Sequence, residues 1–376
     1  MMDVPKGLKG LAVADTEVGD VRGDEGFYHY RQYSAVELAE QRNFEDVCHL
    51  LLEGRLPSAT ESQAYRELLA PLRELPPDLL PMLDLVATSG SASLTGMRTV
   101  LSHLAGIEAM PLSHDVDHGR LLSDARRLVS VTATVVAALH RRGQGLPVIA
   151  PDPSLPYAAN YLAMVTGETP DPARAAAIER YLILGLDHGF NNSTFTARVV
   201  TSTGADLGAA VVAGLAALSG PLHGGAPSRA LEMLDEIGTP ARARGWVRDA
   251  VARGERIMGF GHAVYRTKDP RSESLKTVVA QLGGARAELA IEVESLVEQT
   301  LAELKPDRVL QANIEFYAGV VMEQCGLPPE LFTPTFAVAR TVGWCAQALE
   351  QAADRGAIIR PSARYVGPPA PTPLPA

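Results

Sequence analysis

Ser219-Gly220-Pro221-Leu222-His223-Gly224-Gly225-Ala226 and, further on, Gly259-Phe260-Gly261-His262-Ala263-Val264-Tyr265-Arg266 with its continuation Asp269-Pro270-Arg271 decide how this chain is read. Each places a histidine among glycines, where the backbone approaches a ligand closely and left-handed dihedrals are free, so the imidazole is offered to a site and not packed into a helix face. A third segment, Asn313-Ile314-Glu315-Phe316-Tyr317, adds a carboxylate. One such histidine can serve only a turn. Two, followed by a carboxylate and arginines at particular spacings, point to a catalytic cleft.

Outward from these motifs the apolar spacing is helical over 173–186, 206–218, 287–304, 313–324 and 335–353, with Gly or Pro in the gaps, which predicts an all-α protein. Minor strand signals lie near the N-terminus, around 11–13 and 26–30. Pro227 fits the first turn of a helix that Gly238 closes, which puts His223 just ahead of a helix N-terminus. That position disfavours imidazolium and keeps the ring neutral. The proline-rich stretches 58–86 and 141–157 read as connectors or lid-edge loops, and the tail 368–376 as extended or disordered. No internal repeat is evident.

The 376 residues are 46% apolar and 21% charged, enough for a large core, with or without a smaller lobe. Cys48, Cys325 and Cys345 show no CxxC spacing, so neither a disulfide framework nor a zinc cluster is indicated, and a reducing cytoplasm fits. No signal pattern opens the chain and no apolar stretch is long enough to span a bilayer, so a soluble protein is expected. The net charge of −10 argues against a nucleic-acid surface. Any anionic substrate must therefore be held by local arginines.

These motifs resemble the citrate synthase family, which includes 2-methylcitrate synthases. The similarity starts near Gly7-Leu8-Lys9-Gly10-Leu11, includes Phe44-Glu45-Asp46-Val47 and Leu50-Leu51-Leu52-Glu53-Gly54-Arg55-Leu56-Pro57, and runs to Arg360-Pro361-Ser362. It is thinnest over 58–150. The resemblance implies a two-domain helical fold, with a large domain from 1–224 and 319–376, a small one from 225–318, and the active site in the cleft between them. It implies condensation of acetyl-CoA with oxaloacetate and hydrolysis of citryl-CoA, with propionyl-CoA as the alternative acyl donor and no tightly bound cofactor. That chemistry needs a base for a weakly acidic C–H, a donor for the enolate oxygen and a donor for the ketone. By resemblance Glu315 is the base, His223 donates to the thioester carbonyl and His262 polarises the ketone. Arg271, Arg340 and His188 match positions that bind the keto acid, whose carboxylates suit guanidinium forks. Arg360 matches an arginine that crosses a homodimer interface. Arg266 lies where the family contacts coenzyme A phosphate, and Met258, Gly259 and Gly261 where backbone groups meet the adenine.

Two departures stand out. Glu315 occupies a position where most of the family has aspartate, and Ser91 to Gly96 replaces the usual His-Pro-Met ahead of Met97-Arg98. The first leaves room for a paralogue that binds coenzyme A or a carboxylate without turnover, which the retained His223, His262, Arg271, Arg340 and Arg360 argue against. Ser193-Thr194-Phe195-Thr196 reads as helix packing and capping, with substrate contact as the lesser alternative. His114 and His118 stand four apart, but Pro111 and Gly119 make a loop equally plausible and no third ligand is apparent, so no metal site is assigned. There is no GxxxxGK[ST], no GxGxxG after a strand and no GxSxG.

Overall fold

The computed structural model describes residues 5–8, 10–220, 223–224, 226–354 and 358–371. Lys9, Pro221, Leu222, Gly225, the first four residues and the end of the tail at 372–376, on which parts of the readings above fall, lie outside the described residues. Among the described residues there are sixteen α-helices and one three-stranded antiparallel sheet. The helices at Pro172–Gly185, Leu207–Leu218, Gly284–Leu304, Ile314–Gln324 and Phe332–Ala353 match the expected ones within three residues at either end. A further helix, Ala226–Ile237, begins three residues after His223 and has Gly238 at φ +67 directly after it.

Two expectations are corrected. The strands are β1 (Gly19–Arg22), β2 (Phe27–Tyr30) and β3 (Tyr33–Ser34), and 11–13 is irregular and largely exposed. An apolar pair at Leu11 and Val13 has no neighbouring strand to pair with, whereas the turn at 23–26 lets β1 and β2 zip in register from Gly19↔Tyr30 to Arg22↔Phe27. The stretch 58–86 contains the helices Ala59–Leu69 and Leu80–Thr88. Its prolines fall at first turns, where a missing N–H costs nothing, and Ser58 with Glu61 forms a reciprocal capping box. The stretch 141–157 is irregular from 144 to 156, as expected.

The core is built on two long helices, His118–Gly143 and Phe332–Ala353, packed against each other and almost wholly buried along their shared length. Leu207–Leu218 lies on the second of these with Gly214 against the Trp344 indole; a Cβ there would stand 2.8 Å from a ring carbon. Gly343 lets the same helix reach the 186–187 backbone, since a Cβ would fall 2.2 Å from the Leu186 carbonyl oxygen. That close approach brings Arg340, one turn earlier, toward Asp187 and His188. Beneath the sheet, Tyr28 and Tyr30 are buried and donate to the carbonyls of Leu184 (3.1 Å) and Ile183 (2.8 Å), tying the N-terminal hairpin to the same segment.

Candidate active site

Three helix N-termini carry the site, and each places its polar residue two positions after a capping side chain. Asn191 caps Asn192–Thr201, which bears Ser193; Asp269 caps Pro270–Leu282, which bears Arg271; Asn313 caps Ile314–Gln324, which bears Glu315. In each case the cap oxygen accepts the backbone N–H of that residue, at 3.1, 3.0 and 3.0 Å respectively. Capping thus fixes both where the helix starts and where the side chain leaves it.

One cavity of about 640 Å3 is lined by His188, His223, His262, Arg271, Glu315 and Arg340 among others. A second, of about 820 Å3, is lined by Met258, Gly259, Arg266, Lys305 and Arg308, and shares Arg256, Gly261, His262, Ala263, Asn313 and Glu315 with the first. The two open into each other at Glu315 and His262. Gly259 and Gly261 adopt φ +79 and +84, and a Cβ on Gly259 would lie 2.9 Å from that of Phe316, so the loop rests directly on the helix that carries Glu315. Asn313 completes the junction, donating from Nδ2 to the Gly261 carbonyl (2.9 Å) and from its backbone N–H to that of Gly259 (2.8 Å).

His262 accepts at Nδ1 from the N–H of Val264 (3.0 Å) and of Tyr265 (3.1 Å), so the neutral ring carries its proton on Nε2. Nε2 stands 3.2 Å from Nη2 of Arg271. Both are donors, so neither satisfies the other, and they converge where an external acceptor fits between them. Arg271 is buried and anchored by a fork to Asp269, Nε to Oδ1 at 3.0 Å and Nη2 to Oδ2 at 2.9 Å. Burial pulls its pKa down, but Asp269 outweighs burial and holds the guanidinium firmly charged. His188 shares a 2.9 Å hydrogen bond from Nε2 with the Tyr265 hydroxyl and meets His262 edge-on, ring centres 5.5 Å apart. Its pKa lies well below the usual value, first from burial and then from Arg271 and Arg340. Arg340 is buried over the Phe336 ring at 4.9 Å, with its Nε unpartnered. The facing Asp187 is raised to about 6 by burial, against the pull of Arg340.

His223 and His262 are both lowered to about 4, by burial first and then by Arg340 and Arg271 respectively. Both rings are neutral at pH 7. Neutrality of His223 was expected from its place ahead of a helix; burial and Arg340 are the causes found, and the helix is not among them. Ser193 Oγ lies 2.9 Å from Nε2 of His223. When the hydroxyl donates to Nε2, the ring proton is on Nδ1 and that nitrogen is the free donor. Glu315 is raised from 4.5 to about 7, chiefly by burial, with Arg271 opposing and Asp269 adding. Its pKa is thus poised near neutrality, where a base can both be ionised and accept a proton.

Arg360 lines neither cavity; it is exposed on a segment that runs exposed from 360 to 371. Ser193, Tyr265, Asp269 and Asp187 are site residues that sequence reasoning does not reach. A signal for two of the four exists in the recurring cap-x-polar spacing of Asn191-Asn192-Ser193, Asp269-Pro270-Arg271 and Asn313-Ile314-Glu315. Asp117 caps His118–Gly143, His118 opens that helix and His114 precedes it, so the two histidines are not on consecutive turns of one helix. Among the described residues no group of three or more His, Cys, Asp or Glu is placed to hold a metal, and no helix is long and apolar enough to cross a membrane.

The family model for the citrate synthase C-terminal domain matches residues 7–362. The chain belongs to the citrate synthase family. Similar members of the family include the citrate synthase of Haloferax volcanii, 36% identical over 97% of this chain and 96% of that one. The 2-methylcitrate synthase of Mycobacterium tuberculosis is 37% identical over 97% and 91%. Among solved structures, citrate synthase from Thermotoga maritima superposes with a TM-score of 0.87 at 32% identity, covering 99% of this chain and 98% of that one. Citrate synthase from Thermoplasma acidophilum, in ternary complex with carboxymethyl coenzyme A and oxaloacetate, superposes with a TM-score of 0.91 at 27% identity, covering 100% and 99%.

Proposed function

We propose that the chain condenses acetyl-CoA with oxaloacetate and hydrolyses the citryl thioester to citrate and free CoA. The observation that carries this reading is the pair of facing donors, His262 Nε2 and Arg271 Nη2, opening onto a carboxylate base poised near neutrality. The ketone oxygen of the keto acid sits between the donors, and its carboxylates pair with Arg271, Arg340 and His188. Three helix N-termini at one cavity add a field that favours the dianion. Glu315 takes the α-proton, His223 donates from Nδ1 to the developing enolate, and the enolate carbon attacks the ketone that His262 polarises. Hydrolysis of the thioester follows. The second cavity, with Arg256, Arg266, Lys305 and Arg308 on its wall, suits the coenzyme A phosphates, and the backbone of 258–261 its adenine.

Division into a large domain (1–224 and 319–376) and a small one (225–318) fits this reading, because both cavities are lined from each part. Homodimerisation fits as well. Arg360 is far from its own cavities in contact terms, and its exposed arm carries Tyr365 and Val366 at 72% and 82% exposure, apolar surface that a second copy would cover. A cytoplasmic place in the tricarboxylic acid cycle follows from the reaction.

Thiol release with acetyl-CoA and propionyl-CoA in parallel, each with and without oxaloacetate, tests the proposal. Release from acetyl-CoA only with oxaloacetate is expected, because the dianion orders the site first. Equal release without it would identify a thioesterase, and no release a binding protein. A higher kcat/KM with propionyl-CoA would replace the acyl donor; one methyl group in an apolar pocket is worth only about 1–3 kcal/mol, which the fold leaves open to either.

A further inference from the structure

The turn between β1 and β2 touches the loop that carries His262. Gly23 accepts the Arg266 backbone N–H on its carbonyl at 3.0 Å. A Cβ on Gly23 would stand 2.3 Å from the Val264 carbonyl oxygen and 3.0 Å from its Cγ1. At the other end of the turn, a Cβ on Gly26 would stand 2.8 Å from Thr267 Cγ2 and 3.2 Å from the Lys268 carbonyl oxygen. The same hairpin reaches the substrate cavity through Asp20 and Val21, and Val21 also packs against Gly189 beside His188. The residues the tip presses on are the ones that orient the imidazole, because Val264 and Tyr265 donate both hydrogen bonds to His262 Nδ1.

We infer that the tip of the N-terminal hairpin is a clasp that positions His262, with Gly23 as the positioning residue acting through Val264. The chain of contacts is short: Gly23 to the Val264 carbonyl, the Val264 N–H to Nδ1, and Nε2 to the ketone. The inference rests on the role proposed above for His262. Gly23 does not have a left-handed φ, so alanine fits its backbone, and the substitution tests contact alone. Moving a Cβ from 2.3 Å to an ordinary contact distance requires the tip and the loop to part by roughly 1 Å, a misplacement that costs about a hundredfold in rate at a reacting group.

The experiment measures kcat and KM by thiol release for Gly23→Ala, His262→Ala and the double variant, with Asp24→Ala, an exposed neighbour in the same turn, as the control. Expected are a fall of about a hundredfold in kcat for Gly23→Ala with a much smaller change in the KM for acyl-CoA, no change for Asp24→Ala, and no further fall when Gly23→Ala is added to His262→Ala. A merely structural glycine would lower activity by the same factor in both backgrounds, and that additivity overturns the inference. Wild-type kcat in Gly23→Ala overturns it equally. Full activity of His262→Ala would instead overturn the role of His262, which is a different result from an impaired His262→Ala beside an unimpaired Gly23→Ala. Should Gly23→Ala fail to fold by circular dichroism, Gly26→Ala presses on Thr267 and Lys268 from the other end of the tip, and the same absence of additivity is required of it.

Discussion

Replacing Glu315 with glutamine should make the protein inactive and, above neutral pH, more stable. The side chain keeps its shape but can no longer ionise. In the folded protein burial raises the Glu315 carboxyl from 4.5 to about 7, so the folded chain holds this proton more tightly than the unfolded chain does. The stability from this group is therefore complete below the unfolded value near 4.5 and is lost as pH rises through about 7. A shift of that size costs the wild-type protein about 3 kcal/mol at pH 8 and under about 1 kcal/mol at pH 5, before any reorganisation. Glutamine escapes this cost, so the stability difference between variant and wild type should move by about 2.5 kcal/mol in favour of the variant between pH 5 and pH 8. Urea unfolding of both proteins at the two pH values measures it, without substrates and at one fixed protein concentration, since ligand or subunit binding would add its own term. A difference that stays constant with pH, or moves the other way, would refute the claim that the base is stored in a desolvated, destabilised form. Full thiol release by the variant would remove Glu315 from the mechanism.

The remaining predictions concern the rate. Turnover in the wild type should show an acid limb near pH 7, set by ionisation of Glu315, and the limb should be missing from the residual activity of Glu315→Gln. His223→Ala and His262→Ala should each lower kcat by roughly two to three orders of magnitude with the fold retained, as judged by circular dichroism, because each removes one oxyanion-type donor from a cavity wall. Glu315→Asp should be slower than wild type in the same assay: the backbone at Asn313 and Gly259 is locked by hydrogen bonds and cannot follow a shorter side chain. Arg360→Ala and His262→Ala, each inactive alone, should recover roughly a quarter of wild-type activity when mixed under confirmed subunit exchange, since half the dimers then hold one intact site. No recovery would mean that Arg360 serves its own subunit.

The helices were legible because their signals are local. Apolar period, caps and prolines set Pro172–Gly185 and Ile314–Gln324 within a residue or two, and the strand at Phe27–Tyr30 was visible in its aromatic residues. Pairing was not local: Leu11 and Val13 look as strand-like as the hairpin, but only the hairpin has a partner in register. The site residues could be named from motifs, since glycine-flanked histidines and spaced arginines are properties of short segments. Their electrostatic state could not be read that way. Glu315 lies near pH 7 because folding buries it between Arg271 and Asp269, and His223 is neutral because of burial and Arg340, which is 117 positions away in the sequence. The supporting residues follow the same division. That Asp269 precedes a helix is written in Asp269-Pro270-Arg271, but that its second oxygen also takes the Ile314 N–H at 3.1 Å, joining the arginine's helix to the base's helix, is decided only when the two N-termini are packed side by side. Local chemistry is carried by the order of residues, whereas desolvation and long-range contact exist only in the folded chain, and it is these that turn a list of polar side chains into an acid, a base and a binding site.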